Sequence, residues 1–412
     1  MKLKTLVSLS LIVLVSLLNT AAHAQTFSVI HSFTLGDDGA FPYSGVTLRG
    51  GVLYGTTTEA DQESNGNVYQ ITNTYDDWSL TPIFIFPDDR SGGSTPRARV
   101  VFGPDGHLYG TAEGGGPYNG GVVFNLTPPL SICKAAACFW KENILRNFMQ
   151  SPDGAFPGYG DLVWDQQGNI YGTTSNGGAS GSGTVFKMTK SGNTWTETPI
   201  WSLSGGLDGG QPEGGVVLDS SGNLFGTTFS GGYGYGSVFE LSYINGNWVE
   251  TRLYDFQGRS DGGAPYAGLV FDKSGNLYGT TSYDGSGGGG TVFELIPSGD
   301  TWTFTLLYSF AGTPGQHCGP SAGLAMDAAG NLYGTTFADG SNLLGSVFKL
   351  TNTQNGWTYT SLHDFTGGSD GANPWSNVAF DAEGNLYGTT QLGGARDYIC
   401  VEGCGTVWMI KP

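Results

Sequence analysis

The chain has 412 residues, 35 of them acidic and 17 basic, for a formal net charge of −18. That balance excludes electrostatic capture of polyanions, so nucleic acid and anionic lipid are not expected partners. Glycine is abundant at 70 residues, yet 13% of the chain is aromatic, which a disordered polymer would lack.

The first predicted element is a targeting segment over 1–24. Lys2 and Lys4 precede an apolar run from Leu6 to Leu18, and Ala22 and Ala24 supply the small residues of a cleavage site. The run is short for a bilayer span, and no later segment approaches roughly 18 uninterrupted apolar residues. The protein is therefore expected to be exported, extracellular or periplasmic, with no membrane span. Residues 25–412 are expected to form one domain, and a monomer.

A lone strand follows, "TFSVIHSF" at Thr26–Phe33. After it one phrase recurs seven times, from "GVLYGTT" at Gly51–Thr57 to "GNLYGTT" at Gly384–Thr390. Its aromatics are Tyr54, Tyr109, Tyr171, Phe225, Tyr278, Tyr333 and Tyr387, separated by 55, 62, 54, 53, 55 and 54 residues. Repetition on this scale means a solenoid, a propeller or an array.

The fifth unit shows what repeats. A short apolar run, "GLVFD" (Gly268–Asp272), turns into "NLYGTT", and a glycine-rich loop leads to "TVFEL" (Thr291–Leu295). A further turn leads to "TWTFTLLYSF" (Thr301–Phe310), in which Trp302, Phe304, Leu306, Tyr308 and Phe310 alternate as one face. Four such runs per unit, here called strands a to d, predict an all-β, seven-bladed propeller with four antiparallel strands per blade. The seventh unit stops after its strand c, so the N-terminal strand is expected to complete blade seven and close the ring. Closure also hides sheet edges.

Asp165, Asp219, Asp272, Asp327 and Asp381 open "D-x-x-G-N" turns between strands a and b. The aromatic that follows is expected to pack between blades, and its glycine to admit a close neighbour. Trp78, Trp140, Trp195, Trp248, Trp302 and Trp357 each lie eight residues before the end of strand d, an even spacing that places both on one strand face.

The tandem "GNLYGTT…GTVFKL" grammar, with companions "GSGTVFKM" (Gly181–Met188), "GSVFEL" (Gly236–Leu241) and "GSVFKL" (Gly345–Leu350), resembles the GloVer-type (Gloeo/Verruco) repeat family of exported bacterial proteins. The resemblance implies export and the repeat fold, and no established activity. Members often carry a C-terminal anchoring tail. This sequence stops with its last strand, so anchoring is not expected.

Function is expected on the d–a and b–c loops, which emerge on one propeller face. Aromatics beside the proline that opens strand a, namely Phe41, Tyr43, Phe156, Tyr159, Tyr266 and Trp375, suit stacking on sugar rings. Trp375 and Tyr266 stand out, because Gly158 and Glu213 at the equivalent place show that the fold does not demand a ring there. Asp38, Asp153, Asp208, Asp261 and Asp370 recur five residues after strand d, each before a glycine, either as calcium ligands or as turn caps. No cofactor is required by this reading. Cys133 and Cys138, and Cys400 and Cys404, are near neighbours expected to form disulfides, with Cys318 left over or bridging to blade seven.

The expected function is a non-catalytic binding module for an extracellular glycan, neutral or cationic, or for a surface protein. Two alternatives come from other classes. One is a hydrolase or lyase using carboxylates on the same face, although no G-x-S-x-G elbow or H-x-x-E-H motif is present. The other is a structural cell-surface or matrix protein.

Overall fold

The computed structural model describes residues 25–60, 65–75, 77–129, 138–299, 301–313, 315–396 and 398–412. The expected targeting segment at 1–24 lies outside them. Among the described residues there is no helix, and seven four-stranded antiparallel sheets form seven blades, each ordered a-b-c-d. Residues leading into strand a of every blade line one cavity, so strand a is innermost and strand d is the rim.

Each letter of the recurring phrase has a job. In blade three the Asn169 backbone N–H and side-chain amide donate to the Asp165 carboxylate at 2.8 and 2.7 Å, and Gly168 turns the hairpin at φ +82°. The next residue, Leu277 in blade five, is fully buried. The aromatic is clasped by the following blade: Tyr54 meets Phe102 and Trp140 edge-on at 5.1 and 6.2 Å. The glycine lies under the strand-c ring of its own blade, so that a Cβ on Gly279 would fall 2.5 Å from Cζ of Phe293. The first threonine reaches the next blade, as Thr227 does in donating to the Ala267 carbonyl at 2.8 Å. The second pairs within its blade, Thr228 with Ser237 at 2.8 Å. The phrase therefore recurs because it carries both the intra-blade and the inter-blade contacts.

Blade seven consists of Ala379–Phe380, Leu386–Thr390, Thr406–Lys411 and the N-terminal strand Thr26–Ser32. Thr26 pairs with Lys411 and Ser32 with Thr406, and the register shifts between Val29 and His31. The same c–d bulge occurs in the other six blades, for example at Val292/Phe293. The N-terminal strand is thus a full strand d. Thr389 then joins blade seven to blade one by donating to the Ser44 carbonyl at 2.8 Å.

That bulge corrects the single-face reading of strand d. One extra residue flips the alternation half-way along. Trp302 packs back onto Phe225 of blade four at 6.0 Å, whereas Phe310 packs forward onto Phe348 of blade six at 5.1 Å. Leu306, expected inside, is exposed, and its neighbour Leu307 is packed instead. Each outer strand therefore fastens both neighbours, one with each half.

The residue two after each tryptophan shows how much the rim tolerates. It is Leu80, Phe304 or Tyr359 in three blades and Glu142, Glu197 or Glu250 in three, and blade seven, with Gln25 in the tryptophan's place, has Phe27. Arg146 sits 3.3 Å from Glu197. Burial alone pushes Glu142 up to about 8, and its Oε1 has no hydrogen-bond partner. Because the folded carboxyl holds its proton more tightly than the unfolded one, its presence costs stability progressively as pH rises from about 4.5 to about 8. Replacing it as blade one does, Glu142→Leu, is expected to raise Tm by several degrees at pH 8.5 and by much less at pH 5. Thermal melts at the two pH values check this, and an equal or negative shift at pH 8.5 contradicts it.

Candidate functional site at the channel mouth

Immediately before strand a of each blade stands a residue packed in or against the core (Val46, Val100, Leu162, Val216, Leu269, Leu324, Val378), and the residue three before it lies at the inner end of the blade. Those seven are Tyr43, Arg97, Tyr159, Glu213, Tyr266, Ser321 and Trp375. Most of them line a cavity of about 290 Å³ together with Arg99, Asp161 and Asn377. Glycines at Gly45, Gly215, Gly268 and Gly323 leave room for it. Residues more than 300 positions apart thus meet because the ring is closed.

The four rings converge. Trp375 lies 5.9 Å from Tyr43, 5.8 Å from Tyr159 and 5.6 Å from Tyr266, nearly parallel to Tyr159 at 17°. His317 joins them 4.9 Å from Trp375, sandwiched between Tyr283 and Phe337, and pairs with the Ser321 hydroxyl at 2.6 Å. Burial holds His317 down at about 4, so it is neutral at physiological pH. Gln391 donates to the Tyr43 hydroxyl at 2.6 Å.

Charge at the mouth is mostly matched. Arg97 lies over the Tyr43 and Tyr159 rings at 4.9 and 5.2 Å, bonds the Tyr159 hydroxyl and pairs with Glu113 at 2.9 Å. Arg99 is held by Asp161 through its Nε at 2.9 Å. Glu213 is different. Among the described residues it has neither hydrogen bond nor ion pair, and burial, with Glu113 adding to it and Arg97 opposing, pushes it up to about 7. Glu213 is not among the residues lining the cavity itself, and it shares the register of Tyr159 and Tyr266 on either side.

The sequence-selected aromatics divide. Tyr43, Tyr159, Tyr266 and Trp375 come together at the mouth. Phe41 and Phe156 do not line the cavity: each precedes a proline at φ +55° and +58° and donates its N–H to the preceding blade, Phe41 to the Cys404 carbonyl and Phe156 to that of Gly120. Thr95, Gln211, Ala264 and Asn373 do the same elsewhere, so that position is a backbone joint, not a ring site. Gly158 was also misplaced in register. Blade three has one extra residue before Leu162, which puts Tyr159 on the axis. Glu213 was passed over as proof of indifference, although its signal was visible as the one acid at that register.

The five aspartates stand apart from the cavity, each bound to its own loop. Asp38 accepts from Thr34 N–H and Gly36 N–H at 3.1 and 3.2 Å and pairs with His31 at 3.0 Å. Asp370 does likewise with Thr366 N–H and His363 at 3.0 and 3.1 Å, Asp208 accepts from Ser204 N–H at 3.0 Å, and Asp261 accepts from Gln257 N–H and Tyr254 at 3.0 and 2.9 Å. Asp153 pairs with Arg146. Among the described residues no group of three or more His, Cys, Asp or Glu is placed to hold a metal ion. Chelation is therefore expected to leave the melting temperature of purified protein unchanged. A fall of several degrees in chelator, restored by calcium, would contradict that.

Cys400 and Cys404 form a disulfide, Cα–Cα 5.4 Å, in the b–c loop of blade seven, which leaves Cys318 a half-buried free thiol. Cys138 is disulfide-bonded as well, and Cys133 lies outside the described residues.

A model of the Gloeobacter/Verrucomicrobia repeat matches residues 16–160 and 301–412, more than half of the sequence. The chain belongs to the Gloeobacter/Verrucomicrobia repeat family. The unmatched stretch between carries the same phrases, at Gly168–Thr174, Gly222–Thr228 and Gly275–Thr281, so the family repeat runs around the whole ring. A comparison with curated proteins finds no sequence relative. Among solved structures, an ulvan lyase bound to a -[GlcA(1-4)Rha3S]- unit is similar at 11% identity and TM-score 0.52, covering 90% of this chain and 94% of its own. A provisionally named 6-phosphogluconolactonase of Bacteroides uniformis is similar at 14% and 0.51, covering 84% and 89%. A Lactobacillus plantarum protein is similar at 17% and 0.51, covering 86% and 98%. At these identities the likeness is one of fold, and it places this repeat family among the β-propellers.

Proposed function

We propose that this family member is an exported binding module for extracellular glycan, non-catalytic, whose site is the channel mouth. The observation that carries the reading is the convergence of Tyr159, Tyr266 and Trp375 within 6.4 Å of one another around a cavity, with Tyr43 within 6.4 Å of Tyr159 and Trp375. Flat rings stack on the C–H faces of a pyranose, and the polar groups between them receive its hydroxyls. Glu213, Ser321 and the Tyr43 hydroxyl are those groups. At about 290 Å³ the cavity suits one sugar unit better than a buried chain. The Cys400–Cys404 disulfide fits an oxidising compartment, and among the described residues no helix is long and apolar enough to cross a membrane.

A second reading is a carbohydrate-active enzyme on the same mouth, favoured by the raised carboxyl of Glu213. Retardation of the purified protein in gels containing single polysaccharides tests the first reading, and assay of the same mixtures for reducing ends or unsaturated products tests the second. Retardation without product supports the binding module. Product release lost on Glu213→Gln moves the conclusion to the enzyme, and neither retardation nor product with any glycan removes both.

A further inference from the structure

The mouth holds one carboxyl with no ion-pair partner among the described residues. Both guanidiniums there are already neutralised by carboxylates, Arg97 at 2.9 Å from Glu113 and Arg99 at 2.9 Å from Asp161. Glu213 has no such partner. It occupies the same register in blade four as Tyr159 in blade three and Tyr266 in blade five, whose rings lie 6.4 Å apart, and its Oε2 would lie 4.0 Å from a Cβ on Gly158, next to Tyr159. Tyr266 in turn meets Trp375 at 5.6 Å. A carboxyl beside a cluster of aromatic rings suits a cation, because ring quadrupoles and a negative charge attract the same sign. The chain as a whole, at −18, steers cations towards it and anions away.

We infer that the mouth selects an amino sugar, a 2-amino-2-deoxy pyranose unit whose ring stacks among Tyr159, Tyr266 and Trp375 and whose ammonium group pairs with Glu213. The inference rests on the glycan-binding reading and adds the class of sugar. An N-acetylated or plain hydroxyl unit has the same ring but leaves Glu213 without a counter-charge. Its buried carboxyl must then stay protonated or unpaired, which costs affinity.

Calorimetric titration of the full mature chain at pH 6.5 with three trisaccharides tests this. The β-1,4-linked trisaccharides of glucosamine, N-acetylglucosamine and glucose share a backbone and differ at the 2-position. The glucosamine trisaccharide is expected to bind at least tenfold tighter than either other, and Glu213→Gln to bring its affinity down to that of the two neutral sugars. Equal affinity for all three, unmoved by Glu213→Gln, overturns the amino-sugar assignment and leaves the glycan site standing. No affinity for any of the three or for any polysaccharide in the gels overturns the site itself. Melting curves of Glu213→Gln matching the parent exclude misfolding as the cause.

Discussion

Deleting Thr26–Phe33 is expected to unfold the propeller or lower its Tm by more than about 10 °C, although the deletion removes only one strand. Blade seven loses its strand d, with Phe33 fully buried and Phe27 stacked on His363 at 3.6 Å. Burial of Phe33 alone stabilises by about 2–3 kcal/mol and the half-buried Phe27 adds to it, a large share of the net stability of an ordinary domain. The exposed edge of Thr406–Lys411 then offers its unpaired backbone to other chains. Melting and sedimentation of the truncated chain check the outcome. A monomer melting within 2–3 °C of the parent, on the order of the shift per kcal/mol expected for a chain this long, would show that the ring does not depend on this strand. Phe33→Ala, which keeps the strand, is the milder companion and is expected to cost about 3–5 kcal/mol.

Replacing Tyr266 and Trp375 together by alanine is expected to weaken glycan affinity by about 100-fold. Each ring stacked on a sugar contributes about 1–2 kcal/mol through buried area and face-to-face geometry, and two such losses make about 3 kcal/mol. Both side chains are only half-buried and lie over the cavity rather than between blades, so the fold should survive. The contrast is Trp302→Ala, which removes a clasp on Phe225 of the neighbouring blade and should lower Tm with affinity retained in the folded fraction. Loss of affinity from Trp302→Ala and none from the double variant would reverse the assignment of rim and centre.

Blade number and ring closure were legible because they rest on repetition and period-two alternation, which survive in any one chain. The "D-x-x-G-N" turns were legible for the same reason, since Asp165 and Gly168 do locally what the turn demands. What failed were features set by one residue more or fewer. The bulge at Leu307 sends Trp302 and Phe310 to opposite neighbours, and an inserted residue moves Tyr159, not Gly158, to the axis. Counting cannot show such slips without the partner strand. The cavity was invisible for a different reason. Seven residues at one register converge only when the ring is closed, and Glu213 looked like an exception among aromatics until its neighbours were known.

The most direct measurement uses the protein's ten tryptophans, replaced by 5-fluorotryptophan, with the ¹⁹F resonance of Trp375 assigned from Trp375→Phe. Titration with the glucosamine trisaccharide, or with whichever glycan retards the protein, should shift the Trp375 resonance. The rim resonances of Trp78, Trp140, Trp195, Trp248, Trp302 and Trp357 should stay in place. A saturable shift at Trp375 alone places the ligand at the channel mouth. Binding that moves a rim tryptophan and leaves Trp375 still would put the site between blades and contradict the account.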